Sequence, residues 1–175
     1  MQCGRIGGGA QRAAADVELA AEGVVDALTL LNGQWCRALG RLVVHRSLEG
    51  PLLEAVSGRL AALEMGRSTE PHSDMGPLIH HGHLDQVLTG VHRLCASGGV
   101  AHRWTEVPEG AGAWCSPTLV TGCPSKHTTE EIFGPVAAVH GYDTEEEMLQ
   151  LVHEAPYGLA AYIFGEEERS LELAR

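Results

Sequence analysis

The chain has 175 residues, 44% of them apolar, and a formal net charge of −11, which allows one domain with a sizeable core and an ordinary globular composition. That acidity excludes a nucleic-acid partner, because phosphate would be repelled. No apolar run reaches the length of a membrane span and no cationic, apolar leader opens the chain, so no membrane partner is expected and the cytoplasm is the expected location.

Residues 1–15 stand apart as an atypical N-terminal segment. Gly7-Gly8-Gly9 lies among alanines, with Arg5 and Arg12 nearby, and reads as loop. From Asp16 a helix is expected. Val17, Ala21, Val24, Val25, Leu28 and Leu31 recur at three- and four-residue steps and form one apolar face. Asp16 suits its N-cap, and Asn32-Gly33 its end, where glycine lets the backbone turn. Leu42, Val43 and Val44 form a short apolar run typical of a buried strand over 40–45. Ser47 and Pro51 suit a helix start, with Leu52, Leu53, Val56, Leu60 and Leu63 at helical spacing after them. Residues 66–77 have loop chemistry.

Leu84, Val87, Leu88, Val91, Leu94 and Cys95 make another helix face, which Gly98-Gly99 ends. Residues 118–121 and 136–139 read as strands. Thr144 with Glu147 is a capping-box pattern and opens a helix to about His153. Residues 159–164 read as a further strand, and a helix begins at Glu167 and is cut by the chain end. Helices alternating with short apolar strands argue for an α/β fold with parallel pairing. No repeat or long linker divides residues 16–175.

The five cysteines are Cys3, Cys36, Cys95, Cys115 and Cys123. An odd number without Cys-x-x-Cys spacing fits reduced thiols, and neither zinc nor another metal is expected. His80-His81-Gly82-His83 carries metal-ligating side chains, but no cysteine or carboxylate recurs beside it at ligand spacing. It reads as a solvated helix start.

Two stretches carry the chemistry: Asn32-Gly33-Gln34-Trp35-Cys36 and Glu130-Glu131-Ile132-Phe133-Gly134-Pro135-Val136. Cys36 follows a glycine where a helix gives way to a strand, and a loop there can carry a side chain into a cleft. Arg37, if turned toward the sulfur, would favour the thiolate. Against this, a free cysteine is ordinarily a buried, inert thiol, and Glu130-Glu131 on their own read as a surface pair before a core phenylalanine. Trp35 and Trp114 read equally well as tunnel lining or as core.

With Asp74-Met75-Gly76-Pro77-Leu78 between the two stretches and Pro156-Tyr157-Gly158-Leu159-Ala160 after them, the chain closely resembles the catalytic domain of the aldehyde dehydrogenase superfamily over residues 16–175. The resemblance implies a mostly parallel sheet flanked by helices, and a partial, truncated form of that domain. It implies oxidation of a small-molecule aldehyde to a carboxylic acid with NAD or NADP. Cys36 would be the nucleophile, passing through a thioester, with its own backbone N–H as half of the oxyanion hole. Glu131 would accept hydrogen bonds from the nicotinamide ribose, and Phe133 would pack beside the nicotinamide.

The chain also departs from the family pattern. Where the family has a glutamate base in a Glu-Leu-Gly-Gly-Lys-like motif, this chain has Arg5-Ile6-Gly7-Gly8-Gly9, and arginine accepts no proton in the working pH range. The family's N-terminal dinucleotide-binding domain has no counterpart. The expectation is therefore a chain inactive alone. Its alternatives are a non-catalytic remnant or binding protein, or one half of a split enzyme. The partners implied are a second copy, as in a homo-oligomer, or a separate chain carrying the cofactor domain.

Overall fold

Leu42, Val43 and Val44 are all buried because their strand runs through the interior of a six-stranded sheet. The computed structural model describes residues 2–3, 10–156, 158–165 and 167–173. The Arg5-Ile6-Gly7-Gly8-Gly9 stretch and Tyr157 lie outside them. The strands are β1 (Gln2–Cys3), β2 (Arg41–His45), β3 (Val100–Arg103), β4 (Thr118–Thr121), β5 (Val136–Tyr142) and β6 (Ile163–Phe164). Their order across the sheet is β3-β4-β5-β2-β1-β6. Every pairing is parallel except the edge strand β3 on β4.

Successive strand side chains point to opposite faces, and the core divides accordingly. Leu42, Val44, Leu119, Ala137 and Val139 pack with helices α1 (Ala10–Thr29) and α2 (Arg46–Ala61), through Val24, Leu28, Leu52, Val56 and Leu60. On the opposite face Val120 and Val136 lie under Val87, Val91 and Leu94 of α3 (His81–Ala96). Val43 and Tyr142 lie under Met148 of α4 (Glu145–His153). A short helix, α5 (Glu167–Leu173), follows β6. The result is a sheet flanked by helices on both faces, the α/β class expected. Among the described residues no helix is long and apolar enough to cross a membrane.

Several local expectations need correction. Asp16 does not cap α1; the helix begins at Ala10, because Gln11 to Ala15 are good helix formers and extend it backwards. The segment read as loop also supplies β1, a strand too short to show any period. In α2 the cap is His45, whose Nδ1 accepts from the Ser47 N–H at 3.3 Å. Pro51 lies inside that helix, so the Ser47 carbonyl loses its ladder donor. Leu63 falls beyond the helix end. Thr144 caps α4 by accepting from the Glu147 N–H at 3.3 Å, but the Glu147 carboxylate reaches the Asp143 N–H at 2.8 Å, one residue ahead of the capping-box partner.

The strand expected over 159–164 shrinks to Ile163–Phe164, since its neighbour β1 offers only two residues to pair with. Leu159 is 72% exposed. Strand β3 had no sequence signal: Val100-Ala101-His102-Arg103 is neither an apolar run nor a clean alternation. It is set by hydrogen bonding to β4, with His102 also bonded to the Thr121 hydroxyl at 2.8 Å and Arg103 to that of Thr118 at 3.1 Å.

Candidate active site

Helix α1 does not stop cleanly. It runs into a 3-10 turn at Leu30–Gly33, in which Leu31 (φ 52°), Asn32 (φ 59°) and Gly33 (φ 68°) are all left-handed. For Leu31 and Asn32 that conformation is unfavourable, so the surroundings must over-determine it. Asn32 Oδ1 accepts from the Gly76 N–H at 2.8 Å, and its Nδ2 donates to the Pro77 carbonyl at 3.1 Å. Gln34 Oε1 accepts from the Ile79 N–H at 3.0 Å. Beyond the turn, the Leu39 N–H returns to the Ala27 carbonyl at 2.8 Å. The segment around Met75 to Leu78 thus braces the turn from outside, and Cys36 stands exposed on it.

The second loop, residues 128–135, is tied down along its length. The Thr128 hydroxyl donates to the Ser125 carbonyl at 2.8 Å, so toward His140 Nε2, 2.9 Å away, it is the acceptor. His140 therefore holds its proton on Nε2 and is neutral. Burial, aided by the Arg41 charge and opposed by Glu154, pushes its pKa down to about 4. Glu130 pairs with Arg93 of α3. Ile132 fills the space left by Gly90, where an added Cβ would fall 2.8 Å from Ile132 Cδ1. His83 Nε2 donates to the Phe133 carbonyl at 2.6 Å, with the two rings edge-to-face. His80 Nδ1 caps the start of α3 by accepting from the His83 N–H at 2.9 Å, the helix-start role expected of the histidine cluster.

The two loops touch. A Cβ on Gly33 would land on the backbone of Gly134-Pro135, 2.6 Å from the Gly134 carbonyl carbon. The glycine before the cysteine is needed both for its positive φ and for this approach.

Cys36 and Glu131 line one cleft of about 540 Å³, together with Arg37, Thr128, Ile132 and Tyr162. Phe133, 41% exposed, is not on its wall; neither are Trp35 and Trp114. Arg37 does not act on the thiol by proximity alone: its guanidinium lies over the Trp35 ring at 5.5 Å and the Tyr162 ring at 5.8 Å. Cys115 and Cys123 are buried and Cys95 half-buried. Burial pushes the Cys115 thiol up to about 11, against a smaller opposing effect of Arg103, and raises that of Cys123. The Cys3 side chain lies outside the described residues. Sequence reading missed Thr128, His140 and Arg93, and the bond of His83 to the Phe133 carbonyl; each acts through one long-range contact, for which no local pattern exists.

A volume of 540 Å³ lies within the usual range for small-molecule sites, ~300–1,000 Å³. An exposed carboxylate, Glu131, stands beside the apolar walls Leu94, Ile132 and Val136.

A family model described as the aldehyde dehydrogenase family matches residues 12–175. The chain is 33% identical, over 155 residues, to a succinate-semialdehyde dehydrogenase of Paenarthrobacter nicotinovorans, covering 87% of this chain and 34% of that protein. It is 32% identical, over 161 residues, to a 2-hydroxymuconic semialdehyde dehydrogenase of Pseudomonas putida, covering 88% and 33%. Among solved structures, an aldehyde dehydrogenase variant from Bacillus cereus superposes with a TM-score of 0.85 at 25% identity, covering 99% of this chain and 34% of that one. A Staphylococcus aureus betaine aldehyde dehydrogenase in complex with NAD+ gives 0.81 at 28%, covering 90% and 32%. The chain spans about a third of the length of the curated relatives it matches.

Proposed function

The chain belongs to the aldehyde dehydrogenase family, and from that membership we propose that it is the nucleophile-bearing part of an NAD(P)-dependent aldehyde dehydrogenase. The observation that carries this reading is the convergence of Cys36 and Glu131 on one cleft, from loops distant in sequence.

Cys36 adds as thiolate to the aldehyde carbon. The S–C bond forms as the carbonyl pair moves onto oxygen, and the Cys36 N–H donates to that oxygen. A bound NAD(P) would supply the hydride acceptor for the former aldehyde carbon. The thioester left on Cys36 is hydrolysed by water to the carboxylic acid. Glu131 would accept hydrogen bonds from the ribose hydroxyls, a charge-assisted pairing, whereas Phe133, which does not line the cleft, is given no part. Thr128, His140 and Arg93 hold the loop that presents Glu131.

The resemblance sets Arg5, ahead of the matched residues 12–175, against the family's glutamate, and arginine cannot take the proton from water. That departure motivates a second reading: a non-catalytic binding protein, or one half of a split enzyme whose partner chain supplies the cofactor domain. In either reading the reduced thiols suit the cytoplasm.

The test is brief iodoacetamide treatment followed by peptide mapping. Cys36 should be labelled first, because it is exposed while Cys115 and Cys123 are buried with raised pKa values. Preferential labelling of Cys95 or Cys115 would remove Cys36 as the nucleophile.

A further inference from the structure

In this acidic chain most described arginines face a carboxylate. Arg41 pairs with Glu154, Arg46 with Asp143, Arg59 with Glu18 and Glu22, and Arg93 with Glu130. Arg37 does not. It is exposed, follows Cys36 directly and lines the same cleft. Among the described residues no carboxylate forms an ion pair with it. Two aromatic rings hold it instead, Trp35 at 5.5 Å and Tyr162 at 5.8 Å. Stacking engages the faces of a guanidinium and leaves its edge N–H groups, which match a carboxylate in plane, open to a partner. Of the carboxylates lining the cleft, Glu130 is taken by Arg93, and the proposed function assigns Glu131 to the ribose.

We infer that Arg37 determines substrate specificity by binding a carboxylate on the substrate, so that the preferred substrates are short aldehydes carrying an acid group at the far end. The inference rests on Cys36 as the nucleophile. Cys36 and Arg37 line the same cleft, so one short substrate can present its carbonyl to the thiol and its carboxylate to the guanidinium. The rings fix the guanidinium before substrate arrives, so little side-chain freedom is lost on binding. In the addition step the sulfur–carbon bond forms and the carbonyl oxygen takes a proton; nothing is oxidised, so this step can be examined without cofactor.

The experiment compares alkylation of Cys36 by iodoacetate and by iodoacetamide, read by peptide mapping of the intact chain. Both reagents form the same S–C bond and expel iodide; only iodoacetate carries a carboxylate. Their rate ratio cancels any effect on the thiol's own ionisation. In Arg37→Gln the iodoacetate-to-iodoacetamide ratio should fall by roughly fivefold, the scale of a partly exposed ion pair. Arg37→Lys, which keeps the charge but not the planar fork or the stacking, should keep part of it, and high salt should erode it. Protection of Cys36 by 4-oxobutanoate, relative to butyraldehyde, should weaken in parallel. A ratio unchanged in Arg37→Gln would overturn the inference, and so would a lysine variant as poor as the glutamine one. Labelling that misses Cys36 altogether would remove the nucleophile, and the inference with it; that failure is distinct from an unchanged ratio.

Discussion

At Gly33 the cysteine loop and the cofactor loop meet backbone to backbone. An alanine there would face two penalties: a left-handed φ of 68° and a Cβ 2.6 Å from the Gly134 carbonyl carbon. Gly33→Ala should lose at least ~2 kcal/mol in urea titration, from the left-handed strain and overpacking together; a midpoint equal to wild type would show that the loops do not press on each other. His140 makes a different prediction, in pH. Its folded pKa is about 4, lowered chiefly by burial, against about 6.5 in the unfolded chain. Above pH 6.5 both states are neutral and the contribution is intact. As pH falls from 6.5 toward 4 the unfolded chain takes up the proton and the folded one does not, so stability declines through that window, by up to about 3 kcal/mol. Arg41 adds to the shift and Glu154 opposes it. His140→Gln, which keeps a donor for Thr128 and does not titrate, should flatten the decline. Equal slopes for the two proteins between pH 7 and pH 5 would refute the assignment.

Elements are held in register by caps and clamps rather than by periodicity. Thr144 caps α4, and Thr144→Ala should cost about 1 kcal/mol, measurable as a lower urea midpoint. Asn32 has the larger structural task, since it joins the end of α1 to the segment containing Gly76 and Pro77. Glycine at position 32 would accept the left-handed φ but lose both hydrogen bonds. Asn32→Gly should therefore cost about 1–3 kcal/mol and speed amide exchange across residues 31–36. Exchange unaltered in that segment would mean the brace does not hold the turn.

On the scale of the whole molecule, apolar side chains stand out in water. Leu31 is 63% exposed, Ile79 78% and Leu159 72%, and the hydrogen bond from Ile79 to Gln34 puts one of them beside the cysteine loop. Edge strand β3 adds an unpaired ladder. The chain on its own should self-associate, and a sharp monomer peak in size-exclusion chromatography at high concentration would contradict that.

Much of this protein is written locally. Helices α1, α2 and α3 show as three- and four-residue apolar steps and α4 as a capping pattern, with β2, β4 and β5 as short apolar runs, because burial of one face imposes those periods on the sequence. The family is legible too, since its loop motifs are contiguous. What a linear reading could not supply is whatever depends on contacts between distant residues. Strand β3 has no period of its own and exists through its pairing with β4. Strand β6 is short because β1 is short. The protonation state of His140 depends on burial beneath a loop that precedes it, and the orientation of Arg37 on a ring, that of Tyr162, contributed from the far end of the chain. Cys36 and Glu131 were recognisable only through the set of motifs they belong to; the packing of two helical layers on one sheet put them on a common cleft, because local periodicity specifies which side of an element is buried and not which other element buries it.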